Sequence, residues 1–67
     1  MRATVNGDVL ELDAGKTIAA LVQQVTGSDE QRGIAVARNG EIVRRDAWSE
    51  PVQDGDEIEI VRAVQGG

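Results

Sequence analysis

The chain has 67 residues, with seven Lys and Arg against twelve Asp and Glu, a formal charge of −5, no Cys, no His and a single aromatic residue, Trp48. That composition excludes disulfides and the usual zinc sites built from Cys and His, and it argues against nucleic acid as a partner, because phosphate binding needs concentrated Lys and Arg. One domain is the most this length can hold, and its stability, roughly 3–5 kcal/mol, must come from packing aliphatic side chains.

The first turn signal is Asn6-Gly7 in VNGDV. Asn-Gly between apolar runs favours a type I′ hairpin, because both residues tolerate positive φ. It predicts strands over residues 3–5 and 9–12. The opening stretch MRATVNGDVLELD shows no signal-peptide core, and no apolar run approaches 18 residues. The expected location is the cytoplasm, with no membrane partner.

DAGKT follows, over residues 13–17. It hints at a phosphate loop, but the glycine required five positions before Gly15 is Leu10. It reads instead as a strand-to-helix turn. Ile18, Leu21, Val22 and Val25 then recur at i, i+3, i+4 and i+7, one apolar face of a helix. Thr17 is placed to cap its start and Gly27 to end it. A polar loop, SDEQRG, leads to a second hairpin. Its strands are predicted over Ile34–Arg38 and residues 41–44, joined by Asn39-Gly40. Residues 46–53 are irregular and hold Trp48 and the only proline, Pro51. Trp48 is expected to pack as core against the helix or the sheet edge. A turn at Asp54-Gly55 opens the last strand, predicted over residues 57–64. The order β-β-α-β-β-β gives an α+β fold in which one helix covers one face of a mixed sheet.

The carboxylates fall mostly at turns or alternate outward from strands, as Glu57 and Glu59 do beside Ile58 and Ile60. Without His or Cys most activated nucleophiles are unavailable, and Ser28 and Ser49 have no base partner nearby in sequence. Independent enzymatic activity is not expected.

The chain closes on Gly66-Gly67. A glycine carboxylate has no side chain to obstruct attack at its carbonyl, and two glycines can thread a channel where any Cβ would clash. Residues 65–67 can reach roughly 10 Å from the globule. Such a terminus suits activation by adenylation in another protein's active site.

These features together resemble the ubiquitin-like β-grasp proteins, and more narrowly the ThiS family of sulfur carriers in thiamine biosynthesis. TVNGDVLEL resembles the family's first hairpin, AGKTIAALV its turn and helix, and IAVARNGEIVRRDAW its third and fourth strands. The last includes Val43, Arg45 and Trp48 in a Val-X-Arg-X-X-Trp pattern. DGDEIEIVRAVQGG resembles the closing strand and tail. The sequence departs from the family at Arg44, where proline is more usual, and in the polar loop after the helix.

The resemblance implies a five-stranded β-grasp domain over residues 1–64 and a flexible tail over 65–67. It implies that a ThiF-like adenylyltransferase activates the Gly67 carboxylate, that a persulfide donor of the cysteine-desulfurase type or another persulfide supplies sulfur, and that a ThiG-like thiazole synthase receives it. No cofactor would be bound by the chain itself, since ATP and magnesium belong to the activating enzyme. Other readings stay open: the small subunit of molybdopterin synthase, a ubiquitin-like modifier, or a β-grasp interaction module whose glycines are incidental.

Strand alternation suggests where partners dock. If Ile58 and Ile60 face the helix, then Val61 and Ala63 face outward, and so do Ala35 and Ala37 opposite Ile34 and Val36. This small apolar patch runs into Val64, Gln65 and the two glycines. Arg62 and Arg45 are candidates for pairing with acidic groups on a partner.

Overall fold

A computed structural model describes residues 1–27 and 32–63. Its elements are β1 (Arg2–Val5), β2 (Asp8–Glu11), α1 (Ile18–Thr26), β3 (Ile34–Arg38), β4 (Glu41–Ile42), a short 3₁₀ helix (Arg45–Ala47) and β5 (Glu57–Arg62). The sheet order is β2-β1-β5-β3-β4. β1 and β5 are parallel and every other pair is antiparallel, so the sheet is mixed and five-stranded, as expected. The last strand in sequence therefore lies at the centre of the sheet.

Both hairpins turn where the Asn-Gly pairs predict. Asn6 and Gly7 have φ of 50° and 88°, and Asn39 and Gly40 have 51° and 85°. These are the positive values that a type I′ turn requires at both central positions.

Alternation supplies the core. Ala3 and Val5 of β1, Ile34 and Val36 of β3, and Ile58 and Ile60 of β5 are buried beneath Ile18, Leu21 and Val22 of α1. Burying each of the large aliphatic side chains contributes about 1.5–3 kcal/mol. Val25 is the exception to the predicted helix face. It lies in the last turn of a nine-residue helix and is 40% exposed, so only two turns of the apolar stripe reach the sheet.

The helix start is satisfied from three directions. The first N–H groups of a helix have no partner within it. Here Ile18 N–H donates to Glu50 C=O at 3.0 Å, Ala19 N–H to Trp48 C=O at 2.9 Å, and Ala20 N–H to Thr17 Oγ1 at 3.1 Å. The segment read as irregular is thus a clasp over the helix N-terminus. Trp48 anchors it in the core, 3% exposed, with the indole N–H donating to Val43 C=O at 3.3 Å. At the other end Gly27 takes φ 72° and donates to Gln23 C=O, the left-handed cap expected of glycine.

β4 is shorter than the predicted 41–44. Val43 N–H still donates to Val36 C=O at 2.8 Å, but Arg44 then turns the chain into the 3₁₀ helix. Arg44 has φ −63° and ψ 150°, the geometry to which proline is locked, and its N–H has no partner among the described residues. Arg44→Pro is therefore expected to stabilise the domain by about 0.4–1 kcal/mol, by restricting the unfolded chain. A higher thermal midpoint is the expected result. A lower one would show that Val43 cannot take the conformation that a following proline demands.

β5 was predicted to run to Val64. It is described to Arg62, and Ala63 N–H donates to Gly33 C=O at 2.6 Å. Val64, Gln65, Gly66 and Gly67 lie outside the described residues, as do residues 28–31.

Candidate functional site

The sheet has one face under the helix and one face that is open among the described residues. Register decides which side chains share the open face. Val61 pairs with Ala35, Glu59 with Ala37, and Ala37 in turn with Ile42 of β4. Toward the other edge Glu57 pairs with Thr4 and Thr4 with Val9. Directly opposed residues point to the same side of a sheet. The open face therefore carries Val61, Ala35, Ala37 and Ile42 around Glu59, with Glu57, Thr4 and Val9 beyond.

The ladder between β3 and β5 is unbroken from Ile34–Arg62 to Arg38–Ile58. No bulge turns Val61 inward, and it is 57% exposed. Ala35 and Ala63 are exposed and Ala37 is half-buried. Val61, Ala35 and Ala63 thus reach the surface and Ala37 partly so, while Val64, Gln65, Gly66 and Gly67 lie outside the described residues.

Two apolar members were missed. Ile42 is 75% exposed and Val9 is 67% exposed. Ile42 was recoverable, because a two-residue type I′ turn fixes Ala37 opposite Ile42. Val9 was recoverable in the same way from Asn6-Gly7. Neither of these large aliphatic side chains is needed to cover the core.

The charges on this face are acidic. Glu57 and Glu59 have no ion pair among the described residues. At the β2 edge, by contrast, Glu11 and Arg2 neutralise each other at 3.0 Å. An apolar patch around unpaired carboxylates fits a partner surface that is apolar with basic groups.

The two arginines separate. Arg45 stacks on Trp48, with its guanidinium carbon 4.2 Å from the ring centroid, because one 3₁₀ turn places residues i and i+3 above one another. The Arg-X-X-Trp spacing thus has a structural role at this site. Arg62 is exposed beside the last described residue and has no ion pair among the described residues.

The start of β5 is pinned by a polar cluster. Asp56, 6% exposed, accepts from Gln53 N–H at 2.8 Å and Asn39 Nδ2 at 3.1 Å, and it lies 3.2 Å from Arg38 Nε. Arg38 continues to Pro51 C=O at 2.8 Å. This cluster fixes the start of β5 within the fold, although Arg38 Nε faces the Asp56 carboxylate as an ion pair without a hydrogen bond of its own. No group of three or more acidic, His or Cys side chains among the described residues is arranged to hold a metal ion.

The comparisons with known proteins agree with this geometry. The model of the ThiS family matches residues 2–67. The sulfur carrier protein ThiS of Escherichia coli is 35% identical over the whole of both chains. A thiazole synthase of Paramagnetospirillum magneticum is 37% identical over the whole of this chain, which spans 20% of that protein. The crystal structure of a thiamine biosynthesis protein (ThiS) from Geobacter metallireducens superposes with a TM-score of 0.76 at 30% identity, covering both chains completely.

Proposed function

The chain belongs to the ThiS family of sulfur carriers in thiamine biosynthesis, and from that premise we propose that the sulfur is carried as a thiocarboxylate on Gly67. The observation that carries this reading is that the family match runs to the last residue and so includes Gly66-Gly67.

The chemistry follows from the terminus. A carboxylate is a poor electrophile. Attack of its oxygen on the α-phosphorus of ATP, with pyrophosphate leaving, gives an acyl adenylate. The terminal sulfur of a donor persulfide then attacks the Gly67 carbonyl and displaces AMP. The resulting acyl disulfide is split by a second thiol, which is oxidised to a disulfide with the donor as the thiocarboxylate is released. The persulfide attack at the carbonyl benefits from the absence of a Cβ on the reacting residue. ATP and magnesium are held by the activating enzyme, a ThiF-like adenylyltransferase. This carrier contributes an acyl terminus and a surface, and the cytoplasm is the compartment where it would meet ATP and these enzymes.

The thiazole synthase match supports the recipient. In that protein a segment similar to this whole chain accompanies a much longer remainder. A ThiG-like thiazole synthase is accordingly the partner proposed to accept the sulfur, with the open sheet face as its landing surface and that of the activating enzyme.

Incubating the chain with a ThiF-like adenylyltransferase, ATP and labelled pyrophosphate tests the reading. Carrier-dependent exchange of label into ATP is expected, and no exchange above the enzyme alone would count against it. Val61→Glu tests the docking surface in the same assay. A charge set into the apolar patch is expected to raise KM by at least about 10-fold, the effect of losing one well-packed apolar contact and desolvating a carboxylate against the apolar part of the partner. Its thermal midpoint should stay near that of the native protein, because the side chain is exposed. A folded Val61→Glu protein activated at the native KM would remove the patch from the account.

A further inference from the structure

Both Asn-Gly turns reach back to the central strand. Asn39 holds its start: the side-chain oxygen accepts from Glu57 N–H at 2.8 Å, and the backbone N–H donates to Glu57 C=O at 2.7 Å. Asn6 holds its far end through the side chain alone. Its Oδ1 accepts from Ile60 N–H at 2.8 Å, and its Nδ2 donates to Ile60 C=O at 3.1 Å. A primary amide carries one acceptor and a donor in the arrangement of a peptide group, so this side chain supplies a rung that β1 is too short to supply.

The backbone pairing shows why that rung matters. β1 meets β5 only at Thr4–Glu57 and Val5–Ile58, with Asn6 N–H donating to Ile58 C=O at 2.9 Å. Ile60 is the last residue of β5 gripped from that side. Main-chain groups alternate in direction along a strand, so those of Arg62 point the same way as those of Ile60. No described residue meets them there. Among the described residues Ala63 is held from the opposite side alone, by Gly33.

We propose that Asn6 is a positioning residue for the C-terminal tail. It fixes β5 on both sides as far as Ile60 and so sets the position and direction of the strand that leads into the last residues. This rests on the reading of Gly67 as the reacting terminus. Every residue that is free before binding must lose its backbone freedom when the tail enters an active site. Gripping Ile60 removes part of that cost in advance.

The test compares Asn6→Gly with Asn39→Gly. Glycine keeps the positive φ of either turn without strain, so each variant removes only the side chain: Asn6→Gly releases Ile60 at the far end of β5, and Asn39→Gly releases Glu57 at its start together with the bond to Asp56. NMR order parameters of the Arg62 and Ala63 amides are expected to fall in Asn6→Gly and to hold in Asn39→Gly. With the adenylyltransferase, KM is expected to rise about 3–10-fold in Asn6→Gly at unchanged kcat, the effect of losing one or two net hydrogen bonds before binding. Asn39→Gly should keep the native KM. If Asn6→Gly shows no cooperative melt, Asn6→Asp gives the same comparison, since it keeps the acceptor for Ile60 N–H and sets an oxygen against Ile60 C=O. Native order at Arg62 and Ala63 in the Asn6 variant overturns the proposal, and so does an equal KM rise in both variants. A native protein that is not activated at all overturns the Gly67 reading instead, and the order parameters then decide the role of Asn6 by themselves.

Discussion

Trp48→Ala is expected to leave the chain without a cooperative unfolding transition. Truncating a buried tryptophan costs about 3–5 kcal/mol, and a domain of this size has roughly 3–5 kcal/mol in total. The side chain is 3% exposed and is the only aromatic one in the core, so no neighbouring ring can swing into the space. The loss extends beyond the cavity. Trp48 anchors the segment whose carbonyls, from Trp48 and Glu50, cap the first N–H groups of α1, and the ring is the platform on which Arg45 stacks. Circular dichroism during urea titration is the suitable measurement, because the substitution removes the fluorophore. Trp48→Phe keeps most of the buried surface and loses the bond to Val43, so a cooperative but weakened transition is expected for it. A Trp48→Ala protein that melts cooperatively within about 1 kcal/mol of the native one would contradict the clasp described here.

Deleting Gly67 is expected to act in the opposite way, abolishing activation while leaving stability untouched. The new terminus is still a glycine carboxylate, so its intrinsic reactivity is the same. What changes is reach. One residue fewer withdraws the carboxylate by about 3.3 Å, whereas in-line attack on a phosphorus needs the reacting atoms about 3–3.5 Å apart, and a misplacement of about 1 Å costs on the order of 100-fold. Carrier-dependent pyrophosphate exchange should therefore fall by at least about 100-fold. Residue 67 lies four positions beyond Ala63, whose N–H bond to Gly33 is the last described contact of the closing strand, so the thermal midpoint should move by less than the equivalent of about 0.5 kcal/mol. Retained exchange in the shortened protein would mean that the terminus is not delivered by a tail of fixed length.

Much of this was legible from residue type and spacing. Asn6-Gly7 and Asn39-Gly40 located both hairpins because the positive φ values of a type I′ turn suit few other pairs. Thr17 and Gly27 bounded the helix because their chemistry is that of caps. Alternation placed Ile58 and Ile60 inside and Val61 outside. The parts not legible depend on contacts between distant segments. The periodicity of the helix put Val25 on its apolar face, but only the packed fold shows that in the last turn it stays 40% exposed. The strand expected over 41–44 ends at Ile42 because Arg44 starts the clasp, whose target is the helix start almost thirty residues earlier. Asn6 reads locally as a turn residue, and its bond to Ile60 spans 54 positions. At the site, the outward direction of Val61, Ala35 and Ala37 could be read from one strand at a time. Adding Ile42 and Val9 needed the register carried across each turn, and pairing Arg45 with Trp48 needed the 3₁₀ turn between them.

The central claim is that Gly67 is where sulfur is carried, and the intact mass of the protein tests it most directly. The chain should be isolated from cells that hold its native activation machinery, starved of thiamine so that demand for the carrier is high. The account predicts a species heavier by the replacement of one oxygen with sulfur, located at Gly67 by fragmentation and absent when Gly67 is deleted. A single unmodified mass under those conditions, from a chain that the adenylyltransferase accepts in vitro, would contradict it.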